Sequence, residues 1–153
     1  MLGSYGVGPA DIGWYIMCVP IAYVAGNFLT SRLIHRQGER RMMAMGQLTT
    51  VAGIALLLAL SGLKTPLAFA LPLMLLGIGH GFLLPSTLAG TVGAVPALAG
   101  AAAAVAGLMQ QLMGALGGYT VGLVSHEDTV NLGLLLLAFT FGAIAAQFLL
   151  HRR

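Results

Sequence analysis

His80 lies about midway along an apolar run of roughly Leu67 to Leu88. An imidazole at that depth in a hydrocarbon layer is costly unless it faces protein or a water-filled cavity. In a cavity it can bind substrate or exchange a proton, because an imidazole in water titrates near neutrality. As a neutral ring it can equally hydrogen-bond a neighbouring helix. Gln110 and Gln111 sit near the middle of a second run, about Ala97 to Val124. Adjacent helical residues are about 100° apart, so at most one of the pair points straight into a cavity. Substrate binding and interhelical hydrogen bonding both remain open for them. Asn27 closes the list of substrate-path candidates. It shares a helix face with Tyr23, four residues earlier, and also suits an interfacial or interhelical contact. No Asp or Glu lies deep in any apolar run. A proton-coupled machine would therefore rely on His80 or on a carboxylate from elsewhere.

The second chemical group is basic. Ser31 to Arg41 reads SRLIHRQGERR and holds Arg32, Arg36, Arg40 and Arg41, four of the seven Lys and Arg residues. Such an island either binds an anionic partner or holds one side of a membrane. The net charge of +3 does not argue for nucleic acid, because the basic residues are few and border long apolar runs. Other chemistries lack their residues. No GxxxxGK[ST] or HExxH pattern is present, and Ser86 has no carboxylate within its own run. An enzyme, a bound metal and a cofactor are not expected. Cys18 is the single cysteine, which excludes an intrachain disulfide.

The elements that position these residues follow from composition. The 153 residues are 58% hydrophobic and only 7% charged, with a mean hydropathy of +0.93. A soluble domain carries about 25% charged residues, so the solvent for this chain is a bilayer. No cleavable leader pattern is expected, since the first residues lack a basic region. The apolar runs cover about residues 12–30, 42–63, 67–88, 97–124 and 130–150. Each is apolar on all sides and close to the length of about 20 residues that crosses a bilayer as a helix. Barrel strands would alternate over about 10 residues. The fold class is therefore an all-α integral membrane protein with about five transmembrane helices.

Pro20, Pro72 and Pro85 predict kinks. Gly77, Gly79 and Gly81 around His80 suggest a bendable third helix. Gly107, Gly114, Gly118 and Gly122 mark a small-residue face on the fourth helix, suited to close helix packing.

Five spans place the chain's ends on opposite sides. Arg32, Arg36, Arg40, Arg41, Arg152 and Arg153 fall on one side; the other has Lys64 with Asp11, Glu127 and Asp128. The bias puts the first residues outside and the last in the cytoplasm.

Several stretches resemble a known family. Arg32 to Arg41 resembles the basic cytoplasmic loop of the major facilitator superfamily, roughly G-x-L-x-D-R-x-G-R-R. Arg36, Gly38 and Arg40 match the R, G and final R, while Ser31, His35 and Glu39 depart from the pattern. Those departures fit the weaker copy between the eighth and ninth helices. Gly79 to Thr87 resembles the tenth-helix G-x-x-x-x-P-[NS]-x pattern of drug-efflux members. Ala99 to Gln110 is similar to the A-G-x-A-x-A-x-x-G-x-x-Q opening of the eleventh helix, and Tyr5 to Gly13 to the segment before the eighth. Together they point to the Bcr/CflA-type multidrug-resistance branch.

The resemblance implies a twelve-helix transporter in two halves, with substrate bound between them near the midplane. This chain would supply helices eight to twelve, part of the C-terminal six-helix domain, as a fragment not active alone. Its partners would be the lipid bilayer, the N-terminal half, a drug-like small molecule and protons, in a bacterial inner membrane. Helices eight, ten and eleven border the cavity, which keeps Asn27, His80, Gln110 and Gln111 in place and removes Gln47 and Gln147. The alternatives are a facilitator-type carrier of sugars or metabolites and a non-transporting membrane subunit.

Overall fold

Gly38 makes the turn between the first two long helices on its own. Its φ of 78° lies in the left-handed region that favours glycine. The helix before it therefore ends there and the next begins at once. In the computed structural model, which describes residues 6–63, 65–124 and 129–151, five long helices follow one another: α1 (Pro9–Gln37), α2 (Glu39–Ala59), α3 (Pro66–Ala94), α4 (Ala99–Leu123) and α5 (Thr129–His151). All five are long and apolar enough to cross a membrane.

The helix bounds differ from the apolar runs by a few residues at several ends; α2, for example, takes in residues 39–41 and stops short of residues 60–63. Residues 31–37 of the basic stretch continue α1 rather than forming a loop, because charge marks the edge of the hydrocarbon and does not stop helical hydrogen bonding. Ala89 to Ala94, expected as a connection, extend α3, and a single 3-10 turn at Pro96–Leu98 leads into α4. Local signals set the starts. Thr65 caps α3, its side-chain oxygen accepting the Ala68 amide at 3.4 Å, and Pro66 opens the helix. Asp11 sits in the first turn of α1, at the favourable end of the helix dipole. Lys64, Glu127, Asp128, Arg152 and Arg153 lie outside the described residues.

The centre of the bundle is α3, which packs against α1 on one side and α2 on the other. Glycines make both approaches possible. A Cβ at Gly77 would lie 2.7 Å from the Val19 carbonyl oxygen, and one at Gly81 would lie 2.6 Å from that of Tyr23. A Cβ at Gly26, on α1, would come 2.6 Å from the Ile78 carbonyl oxygen. Against α2, a Cβ at Gly79 would sit 2.5 Å from Thr50 Oγ1. In the structure the three glycines of α3 thus serve close backbone packing, the device membrane helices use in place of a hydrophobic driving force. Met42, Ile54 and Leu57 on α2 are fully buried in the same core.

The remaining two helices are peripheral. α5 packs on α2, where the Gln47 side-chain amide donates to Gln147 Oε1 and Gly133 meets Leu58. α4 leans on α3 and buries none of its residues. Hydroxyls within the spans are satisfied locally. Thr50, Ser86, Thr87 and Thr140 each donate to the carbonyl four residues back, at 2.8 to 2.9 Å.

Candidate functional site

His80 projects from the strip of α3 that lies between its α1 and α2 faces, and this strip also carries Leu84, Thr87 and Thr91. Across from it α4 presents Ala106 and Gln110, one turn apart. Together these residues, with Leu83 and Leu88, line an open cleft of about 290 Å³. Two of the four substrate-path candidates, from separate helices, thus share one cleft. Gln110 lines it and Gln111 does not, as the 100° step between neighbouring helical residues requires. Gln111 is exposed on α4. Asn27 is half-buried on α1. Its amide nitrogen would be 2.7 Å from a Cβ at Gly81, so its backbone packs behind the His80 turn and the residue is not among those lining the cleft.

The chemistry of the cleft follows from its donors and acceptors. Thr87 Oγ1 donates to the Leu83 carbonyl and Thr91 Oγ1 to the Thr87 carbonyl, both at 2.8 Å. With their protons committed to α3, these hydroxyls offer lone pairs to a ligand. Gln110 and His80 both donate and accept. The other walls are Leu and Ala, and among the described residues no carboxylate, Lys or Arg lines the cleft. The two threonines follow His80 by seven and eleven residues, so their place on its strip was readable from helical spacing alone.

A second polar feature joins α1 to α3. Pro85 has no N–H, which leaves the Gly81 carbonyl without its helical donor. Thr30 Oγ1, buried on α1, lies 2.9 Å from that oxygen and donates to it. The neighbouring helix thus repairs the gap that proline opens. Pro85 announces the orphaned carbonyl in the sequence; which residue reaches it depends on the packing of two helices 51 residues apart.

The basic residues gather at the junction of α1 and α2. Arg32 sits over the Phe28 ring, 5.0 Å from its centroid. Arg41 Nη1 donates to Gln37 Oε1 at 3.3 Å. Among the described residues none of Arg32, Arg36, Arg40 and Arg41 forms an ion pair. Among the described residues the glycines of α4 are equally unengaged. Cβ atoms at Gly107, Gly114, Gly118 and Gly122 would meet nothing within 4 Å, and the close helix contacts belong instead to α1, α2 and α3.

Five membrane-length helices, with hydroxyls satisfied inside the spans and an interhelical cleft holding isolated polar groups, are the build of a multi-pass helical membrane protein. A family model for the Major Facilitator Superfamily matches residues 1–153. The chain belongs to the major facilitator superfamily, whose members are typically membrane transporters. No curated protein and no solved structure matches it.

Proposed function

We propose that this chain is the C-terminal part, helices eight to twelve, of a proton-coupled drug exporter of the Bcr/CflA type. The observation that carries the reading is the α3–α4 cleft, where His80 and Gln110 face one apolar space with Thr87 and Thr91. Apolar walls with a few fixed hydrogen-bonding groups suit an amphipathic, drug-like molecule. Lacking a carboxylate, the cleft leaves proton exchange to His80 or to the complementary half of the transporter. That half would also cover the exposed faces of α4 and α1, and alternating access would rock one half against the other. The charge bias supports a cytoplasmic α1–α2 junction with the start of the chain outside, and the family resemblance supports a bacterial inner membrane.

The test is efflux of a fluorescent lipophilic drug by the assembled transporter. His80→Ala and Gln110→Ala are each expected to lower efflux about three- to tenfold, the worth of one hydrogen bond, at unchanged membrane levels. Gln111→Ala is expected to leave efflux unchanged. Wild-type efflux in both cleft variants would remove the cleft from the substrate path. Drug movement down a proton gradient by the purified chain alone would overturn its dependence on a second half.

A further inference from the structure

Thr87 and Thr91 lie one turn apart on α3 and both line the α3–α4 cleft. We propose that they form its head-group subsite and take a ligand nitrogen carrying two N–H bonds, a primary amine or a primary carboxamide, in preference to a quaternary ammonium or a carboxylate. The inference rests on the reading of this cleft as the substrate path and names the class of substrate.

The hydroxyl protons set the direction of the preference. Thr87 Oγ1 donates to the Leu83 carbonyl and Thr91 Oγ1 to the Thr87 carbonyl. A hydroxyl has one proton and two lone pairs, so each threonine faces a ligand as an acceptor. Both residues are exposed in the cleft. A carboxylate oxygen could bind only if a hydroxyl first gave up its carbonyl, at the cost of a hydrogen bond in apolar surroundings. Nothing else at this end would hold an anion. Among the described residues no Lys or Arg lines the cleft, and the last turn of α3 contains no basic residue.

Spacing sets the number of donors. Side chains one turn apart on a helix are separated by about 5–6 Å. Two N–H···O bonds of about 2.9 Å from one nitrogen span about 5 Å. A nitrogen with two protons therefore serves both threonines at once. A fully methylated nitrogen serves neither and presses methyl groups on two hydroxyl oxygens.

The walls set the rest of the ligand. Leu83, Leu84 and Leu88 on α3, with Ala106 on α4, take an apolar body. His80 stands about 10 Å along the helix from Thr87, with Gln110 across from it on α4, and these two can hold a second polar group. The substrate is thus an amphipathic molecule with its NH2 head at the threonine end.

The experiment is equilibrium dialysis of phenylalkyl probes against the full chain in lipid nanodiscs, with uptake by empty discs subtracted. Two pairs differ only in the head: phenylbutylamine against phenylbutyltrimethylammonium, and phenylpentanamide against its dimethylamide. Phenylpentanoate supplies the head that only accepts. The NH2 member of each pair is expected to bind about tenfold more tightly, and the carboxylate no better than the methylated heads. Thr87→Val and Thr91→Val keep the shape and remove the acceptor. Each is expected to weaken the NH2 probes about three- to tenfold and to leave the methylated probes unchanged. Thr87→Ser and Thr91→Ser retain the hydroxyl and are expected to bind like the native chain. Equal affinity within both pairs, a preference that survives both valine changes, tightest binding by the carboxylate, or no measurable binding of any probe would each overturn the subsite. A preference within one pair alone supports it and narrows the head to amine or to carboxamide. Drug efflux separates this inference from the reading beneath it. If His80→Ala and Gln110→Ala lower efflux while the valine changes leave the head preference intact, the substrate path stands and the subsite falls. If the valine changes abolish the preference while efflux ignores His80 and Gln110, the subsite stands and the substrate path falls.

Discussion

Thr30 has one hydroxyl proton and two carbonyls within reach, Gly26 O at 3.0 Å on its own helix and Gly81 O at 2.9 Å on α3. Gly26 O already accepts the Thr30 amide in the helix, whereas Gly81 O has lost its donor to Pro85, so the proton belongs with Gly81. Thr30→Val keeps the shape and removes the proton. It is expected to destabilise the chain by about 1 kcal/mol, the usual scale of an interhelical hydrogen bond in a membrane, read by denaturant titration in mixed micelles. In a Pro85→Ala background α3 supplies its own donor, and the same substitution is expected to cost less. An undiminished effect there would separate Thr30 from the proline gap. At this scale the sequence was partly legible. Gln110, His80 and the threonines after it could be placed on strips by spacing. Choosing Gln110 over Gln111 needed the rotation of α4 about its axis, which no local residue encodes.

Small residues at four-residue intervals show that one face of a helix is thin, not what covers it. The repeat Gly114, Gly118, Gly122 reads as a face suited to close packing, yet among the described residues nothing approaches it. The close contacts fall where Gly26, Gly46, Gly77, Gly79 and Gly81 meet across α1, α2 and α3. The two kinds of glycine should respond oppositely to an added methyl group. Gly81→Ala would press a Cβ onto the Tyr23 carbonyl and the Asn27 amide, at 2.6 and 2.7 Å. Backbone cannot yield as a side chain does, and a loss of about 1–3 kcal/mol is expected. Gly114→Ala meets open space and is expected to be neutral or to gain up to about 1 kcal/mol through helix propensity. Thermal unfolding of the purified chain in detergent compares the two. Helix ends were legible where a residue forces them, as at Gly38 and Pro66. They were misjudged where only polarity changed, as at residues 31–37, because a polar stretch leaves the bilayer without leaving the helix.

The number of spans and their apolar character were legible from composition, since a chain this poor in charge has no other way to meet solvent. Which helix lies at the centre was not: α3 is as apolar as α5 in sequence, and only packing distinguishes them. Orientation rests on charge and is open to a direct test. The natural single cysteine allows a clean background, Cys18→Ala, into which Gln37→Cys or Leu63→Cys is placed. Residue 37 ends α1, and residue 63 lies between α2 and α3. A membrane-impermeant thiol reagent applied to intact cells is expected to label Leu63→Cys and to spare Gln37→Cys until the membrane is opened. The reverse pattern would invert the topology.

The central place of α3 also bears on how the chain is made. α1 and α2 leave the ribosome before α3, joined through Gly38 alone, and touch each other far less than either touches α3. Their thinnest faces, at Gly26 and at Gly46, are shaped for a helix that has not yet been synthesised. The two spans are therefore expected to be loosely associated neighbours until α3 enters between them as the piece that locks both. Gly81 brings with it the carbonyl that Thr30 has been left to meet. Assembly of this bundle is expected to hinge on the arrival of its third helix, and a nascent chain stopped before Pro66 is expected to hold the two spans without the fold.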